Sequence, residues 1–384
     1  MGLNVVMIAT YPLEPGRIVG GIESVTSTLV PALAARPEIE RLTVLCFHTG
    51  PEPVPDRREG PKVEIRFPRG QRRLAVATRS YLDVRRARAI IAELAPDVVH
   101  AHEIGVRGDI ATQVSTHTVV TVHGLVHRET ELQARASAKE RVRYHLVAAM
   151  VRRVLRRARA VVSISDYDAR ALGGLVRGEH VSIANPTAAE FFALSPSGPT
   201  EPRLLFAGVL SPRKNPEGLL DAFAPAAQRV PKAVLAVVGP QPDPHYAREI
   251  RERAAGLGLA DRVEFVGMVD NDRLRTEITR ARAVVLFSHE ETSPTILAQA
   301  MAAGKPVLAA RVGGIPEMVS DSESGFLIEP GDAPELADRM VRVLEDQDLA
   351  LRLGARGHRI AREKFDPDAV ARRTVETYLR VAGR

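Results

Sequence analysis

The sequence has almost no cysteine and few aromatic residues. Among its 384 residues Cys46 is the single cysteine, tryptophan is absent, and aromatic residues make up 4%. One cysteine excludes an intramolecular disulfide and a cysteine-rich zinc site. The scarcity of aromatic side chains leaves no stacking platform for single-stranded nucleic acid, so we expect no nucleic-acid partner.

Long apolar runs are also missing. No run approaches the ~18 residues that span a bilayer, and residues 1–6 show neither a basic leader nor a small-residue cleavage site. We therefore expect no transmembrane helix and no secretory signal, and the sequence predicts a cytoplasmic protein. The apolar fraction of 45% and the charged fraction of 26% are ordinary for a globular protein, and the length favours two domains.

The positive charge is concentrated in the first half of the chain. The net charge is +6, but residues 1–186 contain 27 basic and 19 acidic side chains, whereas residues 187–384 contain 26 and 28. We expect the first half to face something anionic, which on charge alone could be nucleic acid, a membrane surface or a phosphorylated substrate. Residues 135–159 contain nine basic side chains and one acidic one, with apolar residues at helical spacing. This pattern suits peripheral contact with the inner face of a membrane; a surface helix of the first domain is the alternative.

Short apolar runs alternate with amphipathic stretches, and this alternation occurs twice along the chain. Near-continuous apolar strands separated by helices predict parallel βαβ units with both sheet faces covered. Four prolines within residues 185–203 predict a linker between the two series. The sequence thus predicts an α/β protein with two doubly wound, Rossmann-like domains, residues 1–186 and 187–366, facing each other across a cleft.

The apolar runs define the predicted strands. In the first half they span residues 3–9, 42–47, 63–67, 97–101, 118–122, 160–164 and 180–184. In the second half they span residues 203–207, 233–238, 262–266, 283–287, 306–310 and 325–328. Helical stretches are predicted over residues 22–35, 80–94, 216–229 and 294–303, and three helices, over about 333–345, 347–363 and 367–382, end the chain.

A strand, an acidic loop and a helix follow one another between residues 287 and 307. Ser293 fits a helix N-cap and Pro294 fits the first helical position. The free backbone N–H groups of that turn, at Thr295 and its neighbours, can receive a diphosphate. Glu291 lies just before the turn, where it can accept hydrogen bonds from sugar hydroxyls, and Gln299 lies eight positions further on, within reach of a ribose. An acidic first turn stabilised by the helix dipole is the alternative interpretation.

A basic pair follows the first strand of the second half. Arg213 and Lys214 lie at the carboxyl end of the strand over residues 203–207, where ligands of open α/β sheets bind. Two cations at that position can neutralise a diphosphate as it leaves. A solvated basic turn is the alternative interpretation.

Two glycine pairs mark further candidates. Gly20 and Gly21 open a helix after the first strand, and paired glycines let backbone N–H groups approach a phosphate or a sugar closely. The signal is weak, because the dinucleotide-binding pattern Gly-x-Gly-x-x-Gly is absent. The second pair, residues 313–314, can present N–H groups to a sugar or form a tight packing turn.

Three histidines lie at predicted strand ends. His123 ends one strand and is followed by glycine, so it either points into the cleft or serves as a structural histidine. His100 and His102 close another strand and are better explained as structural residues. The three lack the helical spacing and the acidic neighbour of a zinc site, and we expect no metal.

Together these segments resemble glycosyltransferase family 4, whose members have the GT-B fold. The segments that carry the resemblance occur in the family's order over most of the chain: GGIE, DVVHAH, TVHG, VSIS, IANP, FAGVLSPRKNP, EFVGMV, EETSPTILAQAMAAGKPVLAARVGGIPEMV and SGFLIEPGD. The segment at 290–319 is the specific signal. The resemblance implies a retaining, metal-independent transferase without a cofactor, which moves a sugar from a nucleotide-sugar co-substrate to a hydroxyl acceptor that is lipid-linked, a glycan or a small molecule.

The resemblance also implies roles for parts of this sequence. The first domain is expected to bind the acceptor and the second the nucleotide-sugar, while the C-terminal helix over 367–384 packs against the first domain. Glu291 matches the family's donor-sugar glutamate, Lys214 its diphosphate lysine and His123 its histidine near the reacting sugar. These three are the expected catalytic residues. The expected donor-binding residues are Gly20, Gly21, Arg213, Lys214, Val266, Gly267, Met268, Glu291, Thr292, Ser293, Thr295 and Gln299.

Two positions depart from the family pattern. The second glutamate is Gln299 here, whose amide accepts hydrogen bonds less strongly than a carboxylate. The usual phosphate arginine, two positions before Ser211, is Val209, and Arg213 is its expected replacement. These departures motivate the alternative hypothesis of a catalytically weak sugar-nucleotide-binding protein of the same fold.

Overall fold

The computed structural model describes residues 2–16, 18, 20–71, 75–125, 137–194 and 201–384. The contacts within the chain divide it into two compact units. Unit 1 comprises Met1–Pro15, Val19–Pro186 and Pro367–Arg384, and unit 2 comprises Gly16–Ile18 and Thr187–Asp366. Each unit is built on its own sheet.

The sheet of unit 1 has eight strands. They are Leu3–Ile8 (β1), Ile39–Leu45 (β2), Arg57–Arg58 (β3), Val63–Arg66 (β4), Val98–His102 (β5), Thr118–Val122 (β6), Ala160–Ser163 (β7) and Glu179–Ser182 (β8). Their order is β3-β4-β2-β1-β5-β6-β7-β8, and every pair is parallel except β3 with β4. The order therefore reverses between β1 and β5. Both β5 and β6 are buried along their whole length, which is the reason for their largely apolar sequences.

Helices cover this sheet. They are Gly21–Ala34 (α1), Tyr81–Leu94 (α2), Val106–Val114 (α3), Ala138–Arg157 (α4), Asp166–Leu172 (α5) and, from the end of the chain, Pro367–Ala382 (α14). Helix α14 is part of the core of unit 1, because Val370, Val375 and Tyr378 are buried in one cluster with side chains of β1 and α1.

Helix α4 carries the basic stretch of the sequence. Its carboxyl-terminal half packs into the core of unit 1 through residues such as Met150 and Val154. Val142 and Leu146, in its amino-terminal half, are 60% and 42% exposed. The predicted apolar stripe is therefore buried at one end of the helix and open at the other.

The sheet of unit 2 is entirely parallel. Its strands are Arg203–Ala207 (β9), Val234–Val238 (β10), Val263–Gly267 (β11), Ala283–Leu286 (β12), Val307–Ala310 (β13) and Gly325–Ile328 (β14). Their order is β11-β10-β9-β12-β13-β14, so it reverses between β9 and β12. The helices of the unit are Ala189–Phe192 (α6), Pro216–Arg229 (α7), Pro244–Gly256 (α8), Asn271–Arg280 (α9), Thr295–Ala302 (α10), Ile315–Met318 (α11), Ala333–Glu345 (α12) and Gln347–Lys364 (α13).

The two sheets confirm the predicted α/β class with two Rossmann-like domains. The boundary between the units after Pro186 lies within the predicted linker. That segment also contains helix α6, whose Phe191 and Phe192 are buried; residues 195–200 of it lie outside the described residues. Strand β3 was not predicted, since it has two charged residues and no apolar run. In the part of the chain that the structure describes, no helix is long and apolar enough to span a membrane.

Candidate active site

Unit 2 brings two buried charged side chains into contact where its strand order reverses. Lys214 ends a 3₁₀ turn after β9, and Glu291 follows β12. These strands are neighbours, and open α/β sheets bind ligands at the carboxyl ends of strands at such a reversal. Lys214 Nζ donates to Glu291 Oε1 at 2.5 Å, and the two side chains are 10% and 6% exposed. The two predicted residues therefore form one ion pair, the Lys214–Glu291 pair.

Two further contacts hold Glu291 in place. Ser288 Oγ donates to Glu291 Oε1 at 2.8 Å, and the backbone N–H of Gly314 donates to the Glu291 carbonyl at 3.0 Å. Gly313 has a φ of +54°, and a Cβ at that position would lie 1.7 Å from the Glu291 carbonyl oxygen, so only glycine fits. The structure favours a packing turn for this glycine pair.

Arg213 supplies a second cation beside the Lys214–Glu291 pair. Its Nη1 donates to the Glu290 carbonyl at 2.9 Å and lies 3.4 Å from Glu291 Oε2. The Arg213 side chain is 47% exposed, so it can also meet a ligand. Val209, where the family pattern has an arginine, is 41% exposed. That Arg213 replaces the missing cation stays a prediction.

The electrostatics of this cluster suit an anion. Burial lowers the pKa of Lys214, and the Glu291 carboxylate opposes that shift. Arg213 and Lys214 both lie within hydrogen-bond distance of the Glu291 carboxylate. Charge-assisted hydrogen bonds to a diphosphate are the strong interactions that such a cluster can make.

Helix α10 begins one residue later than predicted. Pro294 is its N-cap and Thr295 its first residue, with no side-chain cap. The prediction of Ser293 as the N-cap is wrong, because the backbone of Pro294 is extended, with φ −69° and ψ 116°. The Ser293 hydroxyl donates to Met318 Sδ at 3.8 Å. Thr295 is half-buried, and Gln299, further along the same helix, is 6% exposed.

The remaining donor-binding candidates of unit 2 lie on the same edge of the sheet. Thr292 directly follows Glu291 and is half-buried. Val266 and Gly267 end β11, two strands from β9, and Met268 beyond them is 49% exposed. These residues share an edge with the Lys214–Glu291 pair.

In unit 1 the glycine candidates open a helix. Gly21 is the first residue of α1, and Gly20 is its N-cap in an extended conformation without a side-chain cap. Among the described residues, a Cβ at Gly20 would meet nothing within 4 Å. Within that part of the chain the space beside Gly20 is therefore open.

The three histidines of unit 1 form one cluster, which we call the histidine cluster (His100, His102 and His123). His102 Nδ1 lies 2.8 Å from His123 Nε2. His100 hydrogen-bonds the hydroxyls of Tyr378 and Thr121, both at 2.7 Å. The rings of His100 and His102 lie 4.3 Å apart between centroids. These contacts link both strand ends to the C-terminal helix α14.

The imidazoles of this cluster are held neutral. Burial lowers the pKa of His100 to about 3 and that of His123 to about 4, and it holds the pKa of His102 well below its usual value. The Arg107 guanidinium adds to the shift at His102 and His123. Among the described residues no group of three or more His, Cys, Asp or Glu side chains is arranged to hold a metal ion.

Two contacts of these sites were not predicted from the sequence. Ser288 stands three positions before Glu291 in the most specific segment, so its spacing was an available signal. Tyr378 bonds His100 across 278 positions of sequence, and nothing local marks it. The pairing of His102 with His123 likewise depends on β5 and β6 being neighbours.

Two family models match the chain, one over each half. The model described as "Glycosyltransferase Family 4" matches residues 19–184, and the model described as "Glycosyl transferases group 1" matches residues 189–359. Between them the two matches cover most of the sequence.

Curated relatives resemble about half of the chain. A D-inositol 3-phosphate glycosyltransferase of Streptomyces scabiei is 36% identical over 180 residues, which cover 45% of this chain and 40% of that protein. An N-acetyl-alpha-D-glucosaminyl L-malate synthase of Bacillus anthracis is 31% identical over 157 residues, which cover 41% of this chain and 40% of that protein. The matches thus span about two fifths of these relatives.

Solved structures resemble the whole chain in fold. A sucrose-phosphate synthase from Thermosynechococcus elongatus matches with a TM-score of 0.82 at 24% identity and covers 99% of both chains. The Anabaena protein HepE in complex with UDP and glucose matches with a TM-score of 0.71 at 20% identity, over 98% of this chain and 99% of that one. These similarities confirm the predicted GT-B class of fold.

Proposed function

Since the chain belongs to glycosyltransferase family 4, we propose that it transfers a sugar from a nucleotide-sugar donor to a hydroxyl group of an acceptor. The observation that carries the proposal is the buried Lys214–Glu291 pair beside Arg213, at the strand reversal of unit 2. Buried charges at the ligand-binding edge of a sheet are typical of functional sites. HepE, a structural relative, was solved with UDP and glucose.

In the proposed reaction unit 2 binds the donor. Lys214 and Arg213 bind the diphosphate and stabilise the negative charge that develops on it as it leaves. Glu291 accepts hydrogen bonds from the hydroxyls of the transferred sugar, and Gln299 hydrogen-bonds the ribose. Thr292, Thr295 and the edge residues 266–268 complete the donor site. Two protein cations supply the positive charge, so the proposed reaction needs neither a metal nor a cofactor.

The proposed transfer retains the anomeric configuration. The acceptor oxygen attacks the anomeric carbon on the face from which the nucleoside diphosphate departs. The bond from that carbon to the phosphate oxygen breaks, the new glycosidic bond forms, and a leaving phosphate oxygen takes the acceptor's proton. No protein nucleophile takes part, and His123 of unit 1 hydrogen-bonds the transferred sugar.

We propose that unit 1 binds an anionic acceptor. Residues 1–186 carry eight more basic than acidic side chains, and such a field attracts anionic small molecules. The names of the two curated relatives contain inositol 3-phosphate and malate, which are anionic hydroxy compounds. The exposed Val142 and Leu146 of the basic helix α4 make a lipid-linked phosphate the alternative acceptor.

A donor and acceptor panel tests the proposal. Thermal-shift screening with UDP-, GDP-, ADP- and dTDP-sugars is expected to show stabilisation by one donor class, because a ligand bound to the folded state raises its stability. The preferred donor is then combined with phosphorylated polyols, hydroxy acids, neutral sugars and a polyprenyl phosphate, with and without EDTA. We expect a product of retained configuration by NMR, formed equally well with EDTA.

The outcomes separate the hypotheses. Binding without transfer or hydrolysis would support the catalytically weak alternative, which Gln299 and Val209 motivate. Inversion at the anomeric carbon contradicts the retaining proposal, and preference for neutral acceptors contradicts the proposed acceptor class. A chain that no nucleotide-sugar stabilises contradicts the proposal as a whole.

A further inference from the structure

The contact between His102 and His123 is a well-aligned hydrogen bond. Their nearest nitrogens are 2.8 Å apart, the ring centroids are 5.1 Å apart, and the ring planes are tilted by 19°. The centroid separation equals the nitrogen–nitrogen distance plus the two ring radii, so the bond lies along the line that joins the rings and nearly in both planes. This geometry is that of a strong N–H···N bond, with one proton between the two nitrogens.

The surroundings of His102 decide which ring donates that proton. His102 is 1% exposed, and within the described residues its other nitrogen, Nε2, is buried without a hydrogen-bond partner. If His102 were the acceptor, its own proton would sit on Nε2 as a buried N–H without a partner. As the donor, His102 leaves only a lone pair at Nε2. Buried unpaired N–H groups are rarer in proteins than buried unpaired acceptors, so the donor arrangement is favoured.

We infer that His102 is a positioning residue that donates its Nδ1–H to His123 Nε2 and thereby fixes His123 as the tautomer protonated on Nδ1. His123 then presents a hydrogen-bond donor, not a base, to whatever it meets. The lowered pKa values of both rings agree with two neutral imidazoles. The tautomer assignment does not depend on the proposed function. Its consequence does: there, His123 donates a hydrogen bond to an oxygen of the transferred sugar.

The neighbouring histidine keeps His102 in this orientation. His100 packs against the His102 ring and is itself bonded at both nitrogens, to Tyr378 and Thr121. Tyr378 is fully buried, so its hydroxyl donates to His100 Nδ1 instead of being left unpaired. Because His100 is held by two hydrogen bonds and packs against the His102 ring, His102 has little freedom to turn its Nδ1 away from His123.

NMR of the full-length chain with ¹⁵N-labelled histidine tests the tautomer directly. Long-range ¹H–¹⁵N correlations distinguish a protonated ring nitrogen from a bare one, and the His123 signals are assigned by their loss in His123→Gln. We expect His123 with a proton on Nδ1 and a bare Nε2 in the native chain. A proton on His123 Nε2 overturns the inference without any variant being needed.

Two variants test whether His102 is the cause. His102→Leu removes the donor, and we expect His123 to move to the Nε2-protonated form. His102→Asn places an amide N–H near the former Nδ1 position, and we expect the Nδ1-protonated form to return. If His102→Leu leaves the His123 tautomer unchanged in a folded protein, as judged by its thermal unfolding, the positioning role of His102 is wrong.

Kinetics separate this inference from the proposed function. With the donor and acceptor found by the panel, we expect kcat to fall about tenfold in His102→Leu, the size of one lost hydrogen bond in the transition state. KM is expected to stay nearly constant, and His102→Asn is expected to recover most of kcat. A tautomer change without a kcat change contradicts the catalytic role of His123 and leaves the positioning by His102 supported.

Discussion

The two units share a Rossmann-like architecture but differ in the chemistry at their strand ends. In unit 2 the strands at the reversal lead to Lys214, Arg213 and Glu291, which are charged and in contact. In unit 1 the strands β5 and β6 lead to His102 and His123, which burial keeps neutral. In each unit the sheet brings these side chains together, and the residues that end or follow the strands determine the charge there. Unit 1 has the more positive sequence, yet its strand ends carry the neutral groups.

The largest expected effect comes from removing the buried cation of unit 2. In Lys214→Met the length and apolar stem of the side chain remain, but Glu291 loses its ion pair and the diphosphate loses a charge-assisted hydrogen bond. We expect kcat/KM for the donor to fall by about 100- to 1,000-fold, the range seen when one preorganised donor to a developing anion is removed. Steady-state kinetics with the preferred donor measures this.

An exposed lysine of the same unit provides the control. Lys232 is exposed, so Lys232→Met makes the same chemical change away from the strand reversal and is expected to leave kcat/KM unchanged. Folding of both variants is checked by thermal unfolding. If kcat/KM of Lys214→Met stays within threefold of the native value, Lys214 does not stabilise the leaving diphosphate.

The neutral histidines of unit 1 predict a dependence of stability on pH. In the unfolded chain histidines titrate near 6.5, whereas in the folded chain the pKa is about 3 for His100 and about 4 for His123. Between these values the unfolded state binds more protons, so the free energy of unfolding falls as the pH falls from about 6.5 toward about 4. Each such histidine contributes a slope of up to about 1.4 kcal/mol per pH unit.

A single histidine variant isolates this contribution from that of the carboxylates. His100→Asn removes one buried imidazole, and we expect it to lose less stability than the native chain between about pH 7 and pH 5, as measured by urea unfolding. Equal slopes in the variant and the native chain would show that folding does not hold His100 neutral.

Much of the fold was predictable because buried parallel strands are continuous apolar runs. Strands β6, β9 and β14 and helix α12 have the predicted bounds. The edge strand β3 and the short helix α6 were missed, since two arginines or a four-residue turn carry no periodic pattern. Local hydrophobic patterns therefore predict the buried central strands and the long helices, but they do not predict short edge strands or short connecting helices.

The candidate site was predictable as a set of residues but not as a set of contacts. The sequence assigns separate roles to Lys214 and Glu291, one for the diphosphate and one for the sugar. In the structure they bond each other across 77 positions, because β9 and β12 are neighbours in the sheet. Strand order is a property of the whole domain, so no local pattern predicts which strand-end side chains meet.

The smallest expected effect comes from adding a charge to unit 2. Gln299 is 6% exposed, and Gln299→Glu restores the acid of the family pattern. A carboxylate accepts hydrogen bonds more strongly than an amide, so we expect the dissociation constant of the preferred nucleotide to fall about threefold. Isothermal titration calorimetry measures this change.

The same substitution should act in the opposite direction on the free protein. Without a ribose to bind, the new carboxylate is buried next to apolar side chains of helix α10, and burying an unpaired charge costs free energy. We therefore expect Gln299→Glu to unfold at a lower temperature than the native chain without nucleotide and to recover most of the difference with it. Gln299→Met, which removes the amide and adds no charge, should weaken the nucleotide without this ligand-dependent recovery. If neither variant changes nucleotide affinity, Gln299 does not contact the ribose. The proposed donor contacts of charged side chains are then those of the Lys214–Glu291 pair and Arg213 alone.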